Sequence, residues 1–173
     1  MNLNIREIEI TDKDRWLELW SGYLIFYKAS LPESQTNLTW ERLFDANFNV
    51  NGLVAEIDGK VVGCGALHVL WDDLAEVRTV AVEKSFHKKG IGHQILEKII
   101  ERAREVGVDR IFCLTFQTEF FGRHGFIEIQ GTPVAPDVYK ELLRSYDAGV
   151  AEFLDLEAAK PNTLGNTRML LTL

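Results

Sequence analysis

The stretch at residues 75–105 constrains the fold most, because it places a strand pattern, a glycine-containing loop and a helix pattern in direct succession. Residues 77–82 are apolar and rich in β-branched side chains, which is typical of a buried strand. From Ile91 to Val106 apolar residues recur at helical spacing, and Gly107 follows where helices commonly end. The sequence therefore predicts a strand, a short loop and an amphipathic helix.

The loop between them, HKKGIG at residues 87–92, has the composition of a phosphate-binding turn. The first turn of a helix leaves backbone N–H groups without intrahelical partners and carries roughly half a positive charge. Gly90 and Gly92 allow an anion to approach these donors, and Lys88 and Lys89 add full charges. A tight turn without a ligand is the alternative, but the position of the loop between a strand and a helix favours the phosphate site.

Residues 80–92 resemble the acetyl-CoA-binding motif of the GNAT superfamily of N-acetyltransferases. That motif is a strand ending in small apolar residues, then a basic residue or Gln, two variable positions, Gly, one variable position and Gly. His87 stands where the family usually has Gln or Arg. The resemblance implies an enzyme that uses acetyl-CoA as co-substrate and needs no metal. It implies that the coenzyme-binding residues are Val80, Ala81, Val82, His87, Lys88, Lys89, Gly90, Ile91, Gly92, His93 and Phe121.

The rest of the chain predicts an α/β (α+β) fold in which helices flank a central mixed, mostly antiparallel sheet, which is also the fold that the GNAT resemblance implies. Strand patterns cover residues 3–10, 53–57, 60–70, 77–82, 110–115, 125–129 and 167–173, and helix patterns follow residue 11 and cover residues 36–47, 91–106, 116–124 and 138–146. Asp58-Gly59 is a favoured hairpin turn, and Thr11 with Asp14 forms a variant capping box. Because a long helix joins strands 77–82 and 110–115, these two strands can pair in parallel.

Composition limits the possible functions. With 173 residues, of which 46% are hydrophobic, the chain fits one globular N-acetyltransferase domain at residues 1–173. It has no apolar run near the roughly 20 residues of a membrane span and no signal-peptide layout at its start. A net charge of −7 argues against nucleic-acid binding and requires local positive charge for a polyanionic coenzyme. Cys64 and Cys113 lie in apolar runs and are expected to be free thiols, so we predict a cytoplasmic protein that binds neither nucleic acid nor membrane.

The first predicted helix carries Trp16, Trp20, Tyr23, Leu24 and Tyr27 on one face. Such a face is consistent with packing in the core, with the lining of an acceptor pocket and with a subunit contact. The last of these interpretations is the basis for expecting a homodimer.

Glu76 is the predicted catalytic base. N-acetylation from a thioester needs a neutral amine, a polarised carbonyl and a departing thiolate. Glu76 lies near the start of the central strand, where many GNAT members have a catalytic glutamate, and the alternative role is an exposed carboxylate beside Asp72 and Asp73. The resemblance also implies that backbone N–H groups of residues 80–82 bind the thioester oxygen.

Phe121 occupies the position at which the family usually has a tyrosine that protonates the thiolate. Tyr139 and Tyr146 could replace that tyrosine only if the C-terminal segment folds back. The loss of catalytic rate without this tyrosine is expected to be small, because an ordinary thiol has a pKa of about 8.5 and leaves as thiolate with little help.

Residues 59–173 resemble the short N-acetylglutamate synthases of bacterial arginine biosynthesis, through CGALHVLWDDLAEVRTVAV, LTFQTEFFGRHGF and the ending AEFLDLEAAKPNTLGNTRMLLTL. Residues 1–58 are similar to a different GNAT subgroup, often labelled histone-acetyltransferase-like. The first resemblance implies acetylation of the α-amino group of glutamate, and sometimes of glutamine. A polyamine or protein acceptor and a non-catalytic acyl-CoA sensor are the alternative functions.

A dicarboxylate acceptor requires cationic side chains, for which Arg78 and Arg168 are the candidates; a surface ion pair is the alternative role of each. Strand alternation predicts that Arg78 shares a sheet face with Glu76 and Val80. The histidines at positions 68, 93 and 124 are expected to be too scattered for a metal site.

Overall fold

The computed structural model describes residues 2–131, 134–142 and 165–173, and a seven-stranded sheet forms the centre of this part of the chain. The strands are β1 (Leu3–Glu7), β2 (Val50–Ile57), β3 (Lys60–Trp71), β4 (Leu74–Val82), β5 (Arg110–Thr115), β6 (Ile127–Glu128) and β7 (Thr167–Thr172). Their order in the sheet is β1-β2-β3-β4-β5-β7-β6. The β4–β5 pair is parallel and the other described pairs are antiparallel. The predicted mixed, mostly antiparallel sheet is confirmed.

Helices cover both faces of this sheet. They are α1 (Lys13–Phe26), α2 (Glu33–Arg42), α3 (Ile91–Val106), α4 (Thr118–Gly122) and α5 (Pro136–Leu142). None of the helices in the described residues combines the length and the apolar composition needed to cross a membrane.

The long helix α3 packs on one face of the sheet through a continuous apolar stripe. Ile95 and Ile99 of this stripe are fully buried against side chains of β2, β3, β4 and β5. Glycines in β3 permit this close approach: a Cβ added at Gly65 would lie 2.8 Å from Ile95 Cγ2 and 2.9 Å from Ile99 Cδ1. Any larger residue at this position would push the helix away from the sheet.

Helices α1 and α2 cover the opposite face with a cluster of buried tryptophans. Trp16 stacks on Trp20 with ring centroids 5.3 Å apart, and its ring lies 5.2 Å from that of Trp40. All three side chains are buried together with Val54 and Cys64. For these aromatic residues of α1, packing in the core is therefore the correct interpretation.

The start of α1 differs from the prediction. Strand β1 ends at Glu7 instead of residue 10, because a 3-10 turn over Ile10–Asp12 leads into the helix. The capping box joins Glu9 and Asp12, and the backbone N–H of Glu9 donates to Asp12 Oδ2 at 2.8 Å. The predicted box of Thr11 and Asp14 is wrong by two residues.

Helix α2 is also displaced relative to the predicted residues 36–47. It begins directly after Pro32, whose fixed φ favours the position before a first helical turn. It ends at Arg42, and a separate 3-10 turn over Ala46–Phe48 follows. Asp45 caps that turn by accepting a hydrogen bond from the Asn47 backbone N–H at 2.9 Å, so the chain leaves the helix there.

Other predicted features are confirmed. Helix α3 lies between Gly90 and Gly107, and both glycines have left-handed φ values, of 79° and 85°. Asp58 and Gly59 have φ values of 49° and 82°, as a type I′ hairpin turn requires. Cys64 and Cys113 are buried free thiols.

The described C-terminal elements differ in their bounds from the prediction. Strand β6 covers only Ile127–Glu128 of the predicted residues 125–129. Helix α5 begins at Pro136, two residues before the predicted start, and residues 143–146 of the predicted helix, with Tyr146, lie outside the described residues. Strand β7 ends at Thr172.

Candidate active site

A V-shaped opening separates β4 from β5. The two strands pair in parallel only where Leu74–Glu76 faces Arg110–Phe112. Beyond Glu76, β4 continues to pair with β3 on its other side as far as Val82, and β5 continues to pair with β7 as far as Thr115. Each strand therefore presents one edge without a partner strand to the opening.

The backbone of β4 points polar groups into this opening. The N–H of Glu83 donates to the Val62 carbonyl at 2.8 Å, so Glu83 faces β3. Because hydrogen-bonding direction alternates along an antiparallel ladder, Ala81 also faces β3, whereas Val80 and Val82 face the opening. The Val82 carbonyl agrees with this direction, since it lies 2.7 Å from Nε2 of His87, which belongs to the loop before α3.

A β-bulge at Thr79 interrupts β4 next to the opening. Thr79 and Val80 together stand opposite the single residue Gly65 of β3. Thr79 has a φ of 53°, in the left-handed region, which costs an L-residue about 1–2 kcal/mol and is least favourable for a β-branched side chain. Bulges of this kind re-aim side chains and backbone groups near active sites.

The bulge reverses the alternation of β4 side chains. Glu76 and Arg78 share one face, as predicted, and Arg78 Nε lies 2.6 Å from Glu76 Oε2. Val80 packs with the α3 core and Ala81 with the tryptophan cluster on the opposite face. The prediction that Val80 shares the face of Glu76 is therefore wrong, because the extra residue shifts the period by one.

The first turn of α3 borders the same opening. Gly90 is its N-cap in the left-handed conformation, and Lys88 has a φ of 62°. The N–H groups of Ile91, Gly92 and His93 belong to the first turn, where no carbonyl of the same helix can accept from them. A Cβ added at Gly92 would lie 3.5 Å from the ring of Phe120, which is an ordinary van der Waals contact. The nearest side chain to this turn therefore comes from α4.

One cavity of about 1170 Å³ joins the opening to the first turn of α3. The predicted coenzyme-binding residues on its wall are Val80, Ala81, Val82, His87, Lys88, Gly90, Ile91, Gly92, His93 and Phe121. Lys89 is not among the described residues of the wall, and its Nζ lies 4.6 Å from the centre of the Phe86 ring. The two lysines of the loop therefore differ in their relation to the cavity.

The predicted acidic and cationic residues lie at different depths. Arg78 lines the cavity, whereas Glu76 is only 5% exposed and is not part of the described wall. Glu76, Phe112 and Leu170 are paired across β4, β5 and β7 and form one row of the sheet. Arg168 is paired with Leu114 in the next row on the same face, two residues further along β5. Leu114 lines the cavity and Arg168 is not part of the described wall. Arg78 and Arg168 thus occupy the same level of one sheet face, on either side of β5.

Glu83 supplies a carboxylate at the edge of the cavity, directly after β4. Lys60 Nζ lies 2.9 Å from Glu83 Oε2, Ser85 donates at 2.7 Å and Arg15 donates at 2.6 Å. These hydrogen bonds, that from Lys60 first, lower the pKa of Glu83 to about 2. The carboxylate is therefore ionised and neutralised by its partners, so it opposes an anionic ligand little.

His93 on α3 and His124 after α4 are in contact, a proximity that the sequence did not predict. Their Nδ1 and Nε2 atoms are 2.7 Å apart, and the Phe120 ring lies 4.7 Å from that of His93. Helix α4 returns the chain to the start of α3, a contact that no local pattern contains. Within residues 2–131, 134–142 and 165–173, no group of three or more His, Cys, Asp or Glu could hold a metal ion.

Comparison with known proteins decides the family. The model of the acetyltransferase (GNAT) family matches residues 14–128. The chain belongs to the GNAT family. Over 118 residues, 68% of each chain, the GNAT chain is 61% identical to a Mycobacterium tuberculosis protein named amino-acid acetyltransferase. An Aeromonas salmonicida protein of the same name is 33% identical over 85 residues, which are 47% of this chain and 19% of the relative.

Solved structures resemble the GNAT chain over almost its full length. The M. tuberculosis protein Rv2747, in complex with CoA and NLQ, matches 98% of this chain and 99% of its own at 47% identity, with a TM-score of 0.84. The N-acetylglutamate synthase of Neisseria gonorrhoeae, complexed with coenzyme A and N-acetyl-glutamate, gives a TM-score of 0.69 at 22% identity. This match covers 100% of the present chain and 35% of the synthase, and at that identity it shows the fold alone.

In this GNAT chain, the lining of a pocket is the correct interpretation for two aromatic residues of the first helix pattern, Tyr23 in α1 and Tyr27 directly after it. Tyr23 and Tyr27 line the cavity, with ring centroids 4.7 Å apart. Burial, more than the neighbouring Tyr27 and Glu76, raises the pKa of Tyr23, so its phenol stays protonated. The aromatic face of α1 is thus divided: its tryptophans belong to the core and its tyrosines belong to the cavity.

Phe121, at the position of the usual GNAT tyrosine, also lines the cavity. Its ring packs edge-on against Phe120 at 5.1 Å and Phe126 at 5.3 Å, so it is fixed in an apolar cluster. The backbone of Tyr139 lies in α5. The hydroxyl groups of the described wall belong to Tyr23, Tyr27, Thr79 and Thr115.

Proposed function

We propose that this chain is an acetyl-CoA-dependent N-acetyltransferase that acetylates the α-amino group of L-glutamate, and so serves as an N-acetylglutamate synthase in arginine biosynthesis. One observation carries the proposal: a single cavity contains both the open edge of β4 and the amide-lined first turn of α3. Relatives named amino-acid acetyltransferase and a CoA-bound structure at 47% identity support it.

In the proposed complex, the coenzyme diphosphate binds at the first turn of α3. Its charge is met by the N–H groups of Ile91 and Gly92, by the positive helix end and by Lys88. This local charge is necessary because the protein as a whole carries a net charge of −7. The pantetheine arm then follows the opening, and the N–H groups of Val80 and Val82 face the thioester oxygen.

The amine attacks the thioester carbonyl, so that a C–N bond forms and the C–S bond breaks. Backbone N–H groups stabilise the oxyanion, and the loss of one such donor typically costs about 10²- to 10³-fold in turnover. Glu76 accepts the amine proton through a water molecule, because its carboxylate lies behind the cavity wall and Arg78 holds it there at 2.6 Å. The coenzyme leaves as a thiolate and takes its proton from solvent.

Arg78 and Arg168 are the proposed partners of the acceptor carboxylates. They share one sheet face at the same level, with β5 and the opening beside it between them. In this proposal, each end of a small dicarboxylate in the opening meets one of the two arginines. Glutamine is the second candidate acceptor, since Arg78 already neutralises Glu76 and an uncharged side chain needs one cation fewer.

The test is release of coenzyme A thiol from acetyl-CoA in the presence of glutamate, glutamine, spermidine or a lysine peptide. We expect turnover with glutamate and weaker turnover with glutamine. The reverse order would show that the Arg78–Glu76 pair selects a neutral side chain. Turnover only with spermidine or the peptide would refute an amino-acid acceptor. Binding of acetyl-CoA without thiol release from any acceptor would identify a sensor instead of an enzyme.

A further inference from the structure

The histidine pair at the start of α3 lies beside the proposed coenzyme site. His93 occupies the first turn of α3 and lines the cavity, and His124 follows α4. With nitrogen atoms 2.7 Å apart and rings stacked at 5.0 Å, the two imidazoles share one hydrogen bond. Phe120 contacts both rings, at 4.7 Å and 5.7 Å, and holds them in place.

This geometry limits the protonation of the pair. A hydrogen bond between two ring nitrogens contains one proton, which leaves a neutral pair or a pair with a single positive charge. A second added proton would place two N–H groups against each other. The pair can therefore take up one proton but not two.

The surroundings of the pair disfavour a positive charge on His124 when no ligand is bound. The pKa of His124 is lowered, first by burial and then by His93, while Glu97 one turn further along α3 acts in the opposite direction. Glu119 and Arg123 of the α4 segment form an ion pair with each other.

A bound diphosphate reverses this balance, because it places negative charge against the first-turn amides, including that of His93. We propose that the His93–His124 pair is a further part of the coenzyme site, which takes up one proton when the diphosphate binds, with His124 acting as a positioning residue through His93. This inference rests on the proposed coenzyme site. By linkage, affinity for the coenzyme then rises as pH falls through the pKa of the bound pair, and it becomes constant below the pKa of the free pair.

Calorimetry of the whole chain with coenzyme A lacking its 3′-phosphate tests this directly. That analogue has no phosphate monoester, a group that itself titrates near pH 6. Titrations at pH 7 in two buffers of different ionisation enthalpy measure the protons exchanged. We expect net uptake of a fraction of one proton, and an affinity that is higher at pH 6 than at pH 8, by at most about tenfold if the pKa rises by one unit.

Two variants separate the pair from the other histidine of the site. His124→Asn should abolish proton uptake and flatten the pH dependence, whereas a merely structural role would weaken binding equally at every pH. His87→Gln, which introduces a residue common at that position in the family, should keep the uptake. Uptake that persists in His124→Asn, or that disappears in His87→Gln, would overturn the inference. Binding by the wild-type chain without uptake would also overturn it, and no binding at all would overturn the proposed function as well.

Discussion

Replacement of Gly90 by alanine tests the coenzyme site at a single atom. Gly90 has a φ of 79°, and a Cβ added there would meet no atom within 4 Å. Steric collision within the protein is therefore absent, and the cost to folding is the left-handed backbone alone, about 1–2 kcal/mol. For a chain of this size that corresponds to a fall in Tm of about 2–8 °C.

Gly107 at the other end of α3 provides a matched control. Its φ is 85°, and a Cβ there also meets nothing within 4 Å. Gly107→Ala should therefore lower Tm as much as Gly90→Ala does. The two variants differ only in position, since Gly90 lines the cavity and Gly107 is not among its described lining residues.

Coenzyme affinity should distinguish the two variants. At Gly90 the added methyl group would project into the cavity and move the diphosphate away from the neighbouring amides. The loss of one hydrogen bond to a charged group, about 1.5–3 kcal/mol, raises the Kd for coenzyme A about 10- to 150-fold. Isothermal calorimetry gives the Kd and thermal unfolding gives Tm. Equal Kd values in Gly90→Ala, Gly107→Ala and the wild-type chain would refute a diphosphate at this helix end.

Three further substitutions test other parts of the site. Glu76→Gln should lower kcat about 10²- to 10⁴-fold, as loss of a general base does, with little change in the Kd for acetyl-CoA; an equal loss in both would argue against a base. Glu83→Gln should lower the free energy of unfolding at pH 7, because the pKa of Glu83 falls from 4.5 to about 2 on folding. Urea unfolding should show that the difference in unfolding free energy between variant and wild type persists above pH 4.5 and disappears toward pH 2. A difference that does not depend on pH would contradict the ion pairs. Phe121→Tyr should change kcat less than about tenfold, since a thiolate leaves readily without being protonated. A rise of more than about 100-fold in the steady-state rate would show that protonation of the thiolate limits turnover.

The regular parts of this fold could be predicted from sequence because their signals are local and repeated. The apolar period of α3 extends over four turns and ends at glycines, so its bounds were predicted correctly. The parallel pairing of β4 with β5 followed from the length of the connecting helix. The residues 87–92 loop was predicted as part of the site because a strand and a helix flank it, and the cavity reaches it.

The contacts between distant segments could not be predicted in this way. His93 and His124 meet only because α4 returns the chain to the start of α3. Tyr23 and Tyr27 belong to the same helical face as the tryptophans, and only the position of α1 along the sheet decides which of these residues reach the cavity. Neighbouring Lys88 and Lys89 look equivalent in sequence, but the left-handed φ of Lys88 directs the two side chains differently.

The bulge at Thr79 explains why alternation failed at the place where the chemistry is proposed. A threonine within a β-branched run is a strong strand signal, and nothing in the residues 77–82 pattern marks a left-handed φ. The bulge costs stability, and it lies three residues beyond Glu76, the last residue at which β4 pairs with β5. If the sheet were regular there, β5 would continue beside β4, and the amides of Val80 and Val82 would donate to β5 instead of facing the opening. Strain at Thr79 is therefore consistent with a strand that is kept open for a ligand instead of being closed by the sheet.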